Sequence, residues 1–278
     1  MSLDKCSLNG EIKPLLEASV SITNIEYAYG FGVYETIRVI GKVPYFLDEH
    51  IERLLMSAKT ISLEHIFSKT GIEKYLRKLV EQLCSTEAYN LKIILIGAKE
   101  ANDCLVYIFP SKPLFPEKRD QREGVAVLTV QYERIFPNAK TLNMLQSYVA
   151  FKEAKKKGCY DALAVNSTGL ITEGTMTNFF LIKGKTIFTS PNSKILDGVT
   201  KQIVLKLAAL NGFNIEEKCA TISELADYEG AFLTSTSSKI MPIIKINDFT
   251  FAAVPEAVKL LGKIYDDFLS NCNGLLRL

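Results

Sequence analysis

A proline- and charge-rich stretch near the middle of the chain constrains its fold more than any other feature. Residues 110–120 contain three prolines and five charged side chains. Such a composition is typical of an exposed linker between compact parts of a protein. We therefore predict a small N-terminal domain at residues 1–110, a linker at 111–121 and a larger C-terminal domain at 122–278.

Apolar periodicity predicts both strands and helices on each side of this linker. Strands are predicted at residues 33–40, 43–46, 91–96, 105–109, 125–130, 162–165, 178–182, 186–189, 214–218 and 231–234. Helices are predicted after an N-cap at Asp48, around 72–83, at 145–157, at 200–210 and after Pro255. Because strands and helices do not alternate in a strict βαβ rhythm, the predicted class is α+β.

The composition argues against several classes of function. The chain has 278 residues and a formal net charge of +2, so no strong field favours nucleic acid or an anionic membrane. Two histidines and six scattered cysteines without a C-x-x-C motif argue against a metal site. We find neither a secretory signal nor an apolar stretch long enough for a bilayer, and therefore expect a cytoplasmic location.

Lys140 and Glu173 carry the most informative chemistry. Lys140 follows the string Phe-Pro-Asn-Ala, and Glu173 lies in Leu-Ile-Thr-Glu-Gly-Thr-Met-Thr-Asn. A lysine amine can form a Schiff base with an aldehyde cofactor, and a carboxylate can hold a protonated pyridine nitrogen. Those are the two roles that an enzyme using pyridoxal 5'-phosphate (PLP) must fill.

Three further segments suit a phosphate group. The first, residues 196–200, opens a helix whose N-terminus offers unpaired N–H groups, although an ordinary N-cap is the simpler interpretation of this string alone. The second is a run of five hydroxyl residues, 234–238, which could equally form a polar turn. The third is Arg53, which suits bidentate phosphate contact but more often forms a surface ion pair.

In their order along the chain, these segments resemble the class IV aminotransferases, the fold type IV family of PLP enzymes. The motifs that carry the resemblance lie at residues 29–38, 50–54, 138–140, 170–178, 196–200 and 234–236. The resemblance runs from about Tyr27 to Pro242. It implies a small N-terminal α/β sandwich, a larger C-terminal pseudo-barrel domain that carries Lys140, PLP between the two domains, and a homodimer.

The resemblance also implies a role for each motif residue. Lys140 would form the Schiff base and then move a proton between the substrate Cα and the cofactor C4′. The cofactor would be bound by Lys140, Glu173, Arg53, Leu196, Gly198, Val199, Thr200, Ser235 and Thr236. The substrate would be bound by Tyr34, Thr36, Arg38, Lys92 and Ser237.

The substrate class stays open, because the family includes branched-chain aminotransferases, D-amino acid aminotransferases and aminodeoxychorismate lyases. Residues 141–145 and 153–160 are similar to the D-amino acid enzymes. Residues 97–103 lack the arginine and histidines with which those enzymes hold a substrate carboxylate, which leaves Arg38 and Lys92 as the nearby cations.

We therefore predict a transaminase that moves an amino group between an amino acid, of the branched-chain L- or the D- class, and a 2-keto acid. Thr36 matches a threonine that assists the lyases, so a lyase releasing pyruvate in folate synthesis is the alternative. A non-catalytic protein that binds PLP or a partner is a third hypothesis, which the presence of both Lys140 and Glu173 disfavours.

Overall fold

The computed structural model describes residues 3–83, 85, 87–111 and 116–271, and these form two compact units. Unit 1 comprises the described residues up to 111 together with Ala139–Met144. Unit 2 comprises residues 116–138 and 145–271. Part of the predicted linker, residues 112–115, lies outside the described residues. Its last residues, 118–121, belong to the helix Lys118–Glu123.

The segment Ala139–Met144 groups with unit 1, whereas the sequence led us to place Lys140 in the C-terminal domain. The reason is backbone pairing. The Tyr34 N–H donates to the Lys140 carbonyl at 2.9 Å, and the Leu142 N–H donates to the Gly32 carbonyl at 2.8 Å. Lys140 is therefore fixed to a strand of the N-terminal unit. The predicted domain boundaries themselves stay a prediction.

Unit 1 contains one antiparallel sheet and three helices. Its strands are β1 (Lys5–Leu8), β2 (Glu11–Pro14), β3 (Gly32–Ile40), β4 (Val43–Pro44), β5 (Tyr89–Ile96) and β6 (Leu105–Ser111). Its helices are α1 (Ile25–Ala28), α2 (Leu47–Thr60) and α3 (Lys69–Gln82). The strand order is β2-β1-β6-β5-β3-β4.

One face of this sheet packs against α2 and α3 and forms the core of unit 1. Val33, Ile37 and Val39 alternate along β3 and are fully buried in that core, as the period of a half-buried strand predicts. The predicted N-cap at Asp48 is wrong. The N-cap is Phe46, two residues earlier and in a left-handed conformation, so Asp48 lies in the first turn, where a negative charge suits the helix dipole.

Unit 2 combines a ten-stranded sheet with four helices. Its strands are β7 (Val125–Gln131), β8 (Asp161–Val165), β9 (Leu170–Gly174), β10 (Asn178–Lys183), β11 (Thr186–Thr189), β12 (Asn214–Glu217), β13 (Ala220–Thr221), β14 (Gly230–Ser235), β15 (Lys239–Ile246) and β16 (Phe249–Thr250). Its helices are α4 (Lys118–Glu123), α5 (Leu145–Lys156), α6 (Val199–Leu210) and α7 (Glu256–Asn271).

Six of these strands form a closed ring. They pair in the order β10-β14-β15-β7-β8-β9, and β9 pairs back onto β10 through Glu173 and Asn178. One buried apolar cluster takes side chains from all six strands, among them Leu163, Leu233 and Ile243. The expected α+β architecture with a barrel in the C-terminal part is thereby confirmed.

Candidate active site

Lys140 is held through its main chain on two sides. Its N–H donates to the hydroxyl of Ser57 on α2 at 3.1 Å, and its carbonyl accepts the Tyr34 N–H at 2.9 Å. Ser57 is fully buried. The Lys140 Nζ lies 4.7 Å from the centre of the Tyr34 ring. The amine is therefore directed to the face of the sheet on which Tyr34 lies.

The predicted substrate residues of unit 1 share that face. Side chains alternate along a strand, so Tyr34, Thr36 and Arg38 lie on the face opposite the core, and all three are partly buried. Thr36 pairs with Lys92 on β5, and residues paired across antiparallel strands share one face. The structure thus brings Tyr34, Thr36, Arg38 and Lys92 onto the sheet face that carries the Lys140 amine.

Arg53 forms a buried ion pair with Glu35, which we did not predict. The Arg53 Nε and Nη2 donate to the two carboxylate oxygens of Glu35 at 2.6 and 2.8 Å, and His50 Nδ1 lies 2.8 Å from the same carboxylate. Glu35 is fully buried on the core face of β3. This pair and His50 fix one edge of the guanidinium. The sequence did contain one sign of this ion pair. Glu35 occupies a core position of a strand with alternating apolar residues, and a buried charge requires a partner of opposite charge.

The electrostatics of this cluster favour an ionised Glu35. Burial alone would raise the pKa of Glu35, but the Arg53 guanidinium and the His50 contact outweigh burial and hold this pKa well below its usual range. Burial lowers the pKa of His50, although Glu35 opposes that shift. The cluster is therefore a carboxylate, a guanidinium and a neutral imidazole at neutral pH.

Glu173 is buried at the closing pair of the barrel in unit 2. Its Oε2 accepts the Leu196 N–H at 3.1 Å, and its Oε1 lies 3.5 Å from Arg134 Nη1. The carboxylate is thus held by a backbone amide and by a cation. Arg134 was not among the predicted residues, because nothing in the local sequence relates it to Glu173.

Asn178 connects Glu173 with the segment that opens α6. The Asn178 Nδ2 donates to the Leu196 carbonyl at 2.7 Å. A Cβ atom on Gly198 would collide with Asn178 Oδ1, so a larger residue there would force a shift of that side chain or of the helix end. Gly198 is the N-cap of α6, and among the described residues no side chain caps that end. The first N–H groups of the helix are therefore available to an anion.

The hydroxyl-rich turn begins beside Asn178. Thr234 on β14 pairs with Asn178 on β10, while Glu173 pairs with Asn178 from the other side. Ser235 ends β14, and its hydroxyl accepts the Ser238 N–H at 3.0 Å. Thr236 and Ser237, both half-buried, complete the turn. Glu173, Leu196 and Thr234, the first of the five hydroxyl residues, thus all meet at Asn178.

A buried lysine, Lys201, supports the loop that precedes α6. Its Nζ contacts Asp197 at 3.0 Å and also binds Asn192. Only 3% of Lys201 is exposed. The loop carrying Leu196 is therefore held by a side chain of the first turn of α6, a second contribution that the sequence did not reveal.

Comparison with known proteins identifies the family. The profile described as amino-transferase class IV matches residues 32–246. The chain is 32% identical to a D-alanine aminotransferase of Bacillus licheniformis, and the alignment covers 90% of each chain. It is 29% identical to a putative branched-chain-amino-acid aminotransferase of Methanocaldococcus jannaschii, over 87% of this chain and 88% of that protein.

This chain belongs to the class IV aminotransferases. Its fold agrees. A crystal structure of the branched-chain aminotransferase from Thermoproteus uzoniensis with norvaline superimposes with a TM-score of 0.86 at 26% identity, over 97% of this chain and 96% of that one. The predicted family, the aminotransferase activity between an amino acid and a 2-keto acid, and PLP as the cofactor of this family are thereby confirmed.

The residues of this aminotransferase fit the chemical groups of PLP. Lys140 offers a primary amine for the aldehyde, and buried Glu173 offers a carboxylate for the pyridine nitrogen. The uncapped start of α6 after Gly198 suits the phosphate.

Among the described helices, none combines the length and the apolar composition required to cross a bilayer.

Proposed function

We propose that Lys140 and Glu173 act on one PLP molecule in an aminotransferase for amino acids of the branched-chain L- or the D- class. The observation that carries this proposal is the fixed Lys140 main chain, with its amine over the sheet face of Tyr34, Thr36 and Arg38. The relatives support the class, since they are named as D-alanine and branched-chain amino acid aminotransferases.

The roles of the two central residues follow from their surroundings. Bound PLP supplies an aldehyde for amine capture and a pyridinium ring that withdraws electrons. Lys140 would hold the cofactor through Nζ and, once released and neutral, would move the proton at the substrate Cα. Glu173 would hold the proton on the pyridine nitrogen, and its contacts with Leu196 and Arg134 would keep its carboxylate in place.

The phosphate group would be bound by backbone and side-chain donors of the predicted residues. At the start of α6, Val199 and Thr200 would bind it through backbone N–H groups and a hydroxyl. The other predicted phosphate ligands are Arg53, Ser235 and Thr236. Glu35 supports the role of Arg53, because its two hydrogen bonds hold the guanidinium in one orientation. Bidentate contact with an anion requires such a fixed orientation. Leu196 and Gly198 would pack against the cofactor.

A substrate carboxylate would be bound on the sheet face of unit 1. Arg38 and Lys92 are the cations of that face among the predicted residues, and Tyr34 and Thr36 can donate hydrogen bonds. Ser237, in the turn after β14, is the fifth proposed substrate residue. A panel of L- and D-amino acids with pyruvate and 2-oxoglutarate as acceptors tests the class directly. Transfer to neither acceptor from any donor would contradict the proposal.

One observation favours the lyase as a second candidate. Thr36 lies directly opposite Lys92 on the face that carries the Lys140 amine. A threonine hydroxyl and a lysine so placed could assist an elimination and hold an anionic substrate. Pyruvate released from aminodeoxychorismate without an amino acceptor would favour the lyase, and amino transfer without pyruvate release would favour the aminotransferase.

We also propose a cytoplasmic homodimer that binds neither nucleic acid nor membrane. The net charge of +2 gives no strong field for such polyanionic partners. Leu16, Ile22 and Tyr29 are large apolar side chains that are mostly exposed in the single chain, and a second copy could cover them. Analytical ultracentrifugation tests the dimer, and a monomer at micromolar concentration would contradict it.

A further inference from the structure

Asp161 is a buried carboxylate to which the proposed function gives no role. It begins β8, and only 2% of the residue is exposed. Its Oδ1 accepts the Ala162 N–H at 2.8 Å, the Thr175 N–H at 3.3 Å and the Thr175 hydroxyl at 2.5 Å. Its Oδ2 accepts the Thr177 hydroxyl at 2.8 Å. Four hydrogen bonds therefore converge on this one side chain.

Three of the four donors belong to the connection between β9 and β10. This connection, residues 175–177, lies between Gly174, the residue that follows Glu173, and Asn178. The Gly174 N–H donates to the Thr177 carbonyl at 2.9 Å. A Cβ atom on Gly174 would collide with the Thr177 hydroxyl and approach Asp161 Oδ2 to 2.6 Å. The turn thus packs closely against the Asp161 carboxylate.

The same turn sets the position of the proposed pyridine-binding residue. Within the described chain, β9 and β10 pair through Glu173 and Asn178 alone. Because that contact is short, the conformation of the turn, together with the pairing of β9 with β8 and of β10 with β14, fixes where the two side chains point. Glu173 contacts the Leu196 N–H and Asn178 contacts the Leu196 carbonyl, so a shift of the turn would disturb both contacts.

A buried carboxylate is a poor choice for stability alone. Removing such a charge from water costs free energy that hydrogen bonds offset only in part. An apolar side chain of similar volume often packs equally well and avoids this cost. The carboxylate has one property that an apolar side chain lacks. It accepts bonds in defined directions, and here those directions specify the turn.

We propose that Asp161 is a positioning residue for Glu173, acting through the hydroxyl groups of Thr175 and Thr177. It holds the β9–β10 turn so that the Glu173 carboxylate keeps its orientation toward the pyridine nitrogen of the cofactor. This inference rests on the role of Glu173 proposed above, and it adds a residue that does not touch the cofactor.

A pair of variants at position 177 tests the inference. Thr177→Val keeps the shape of the side chain but removes the donor to Asp161 Oδ2, and Thr177→Ser keeps the hydroxyl. Each protein is loaded with PLP carrying ¹⁵N in the pyridine ring, and the ¹⁵N chemical shift reports the protonation of that nitrogen in the bound cofactor. The melting temperature of the cofactor-free protein reports stability separately.

We expect the ¹⁵N shift of Thr177→Val to move toward the unprotonated value, and that of Thr177→Ser to match the wild type. Asp161→Asn gives a second route if Thr177→Val does not fold, because the amide replaces an acceptor with a donor, and we expect the same change of shift.

Two results would overturn the inference, and they are distinguishable. A lower melting temperature with an unchanged ¹⁵N shift in both Thr177→Val and Asp161→Asn would show that Asp161 serves stability alone. A wild-type protein whose bound PLP has an unprotonated pyridine nitrogen would refute the role of Glu173 itself, and with it the role of Asp161.

Discussion

Ser57 is the residue on which the position of the Lys140 main chain depends most directly. The hydroxyl is buried and accepts the Lys140 N–H at 3.1 Å. In Ser57→Ala this N–H would lose its acceptor, at a cost of about 1–3 kcal/mol. We expect a lower melting temperature and, at limiting PLP, a weaker visible absorbance of the lysine-bound cofactor.

Ser7 offers a matched control in the same unit. It is fully buried, and its hydroxyl oxygen has no hydrogen-bond partner among the described residues. Ser7→Ala should therefore retain the absorbance of bound PLP and lose little or no stability. Equal PLP binding by Ser57→Ala and Ser7→Ala would show that the Lys140 position does not depend on Ser57.

The buried Glu35 predicts a particular dependence of stability on pH. A carboxyl group whose pKa is lowered on folding stabilises the protein above its unfolded pKa, and this contribution is lost as the pH falls through the folded value. Glu35→Gln leaves Arg53 without its charged partner, which we expect to cost about 3 kcal/mol at neutral pH.

Chemical denaturation of the wild type and Glu35→Gln at several pH values measures this contribution. The difference in unfolding free energy should stay constant from neutral pH to the ordinary range of a carboxyl group, and should narrow only below that range. A difference that already disappears between pH 7 and pH 6 would point to His50 rather than Glu35 as the titrating group.

The sequence revealed those single residues whose neighbours in the chain belong to a motif. Lys140 and Glu173 are of this kind, because their local strings carry the resemblance to the family. Ser57 is not, since its partner Lys140 is distant in the chain. Glu35 lies within the motif at 29–38, but its role depends on burial and on its pairing with Arg53, which the motif alone did not reveal. A glutamate on the apolar face of a strand was the one local sign.

At the scale of elements, the start of α6 is the feature with the clearest consequence. Gly198 packs so closely against Asn178 that Gly198→Ala must displace the helix end or the Asn178 side chain. The N–H groups of the first turn of α6 would then lose their alignment with the phosphate. We expect the dissociation constant of PLP to rise about tenfold, for a loss near 1.4 kcal/mol, and that of pyridoxal, which lacks the phosphate, to change little.

Helix α7 supplies a control glycine with the opposite expected sign. Gly262 lies inside this helix, and a Cβ atom there would meet no atom of the described residues within 4 Å. Gly262→Ala should stabilise the protein by about 1 kcal/mol, because alanine favours the helix, and should leave PLP binding unchanged. An equal loss of PLP and pyridoxal affinity in Gly198→Ala would contradict the phosphate role of α6.

The strands and helices with a clear apolar pattern were predictable from the sequence. Two strands that were not predicted, β15 and β9, show why the pattern fails. The predicted strands at 33–40, 91–96 and 178–182 lie within β3, β5 and β10. Strand β15 was missed because Pro242 interrupts it, and proline argues against a central strand. Strand β9 was missed because it carries polar residues, among them Glu173, which the site requires.

At the scale of the whole chain, closure of the barrel brings together residues that the sequence separates. Strand β7 pairs with β15 through Val125 and Ile243, more than a hundred positions apart. The closing pair, Glu173 and Asn178, is local in the chain, but Asn178 also pairs with Thr234 on β14, more than fifty positions away. Such non-local pairing follows from the packing of the complete core, so the sequence indicated the parts of the site but not its arrangement.

The proposed function as a whole requires an ionised Glu173. Glu173→Gln keeps the size of the side chain and the acceptor for the Leu196 N–H, but it removes the charge that holds the pyridine proton. We expect the transamination rate to fall by roughly a hundredfold or more, while PLP stays bound. Stopped-flow measurement of a single half-reaction checks this. Unchanged turnover would refute the role given to Glu173.

The identity of the lysine that captures PLP is the central claim. Reduction of the PLP-loaded protein with borohydride fixes the cofactor to its lysine, and mass spectrometry of the peptides locates it. We predict one pyridoxyl phosphate group per chain, on Lys140, and no label in Lys140→Ala. A label on another lysine of the native protein, or an unlabelled Lys140 peptide at full PLP occupancy, would contradict the account.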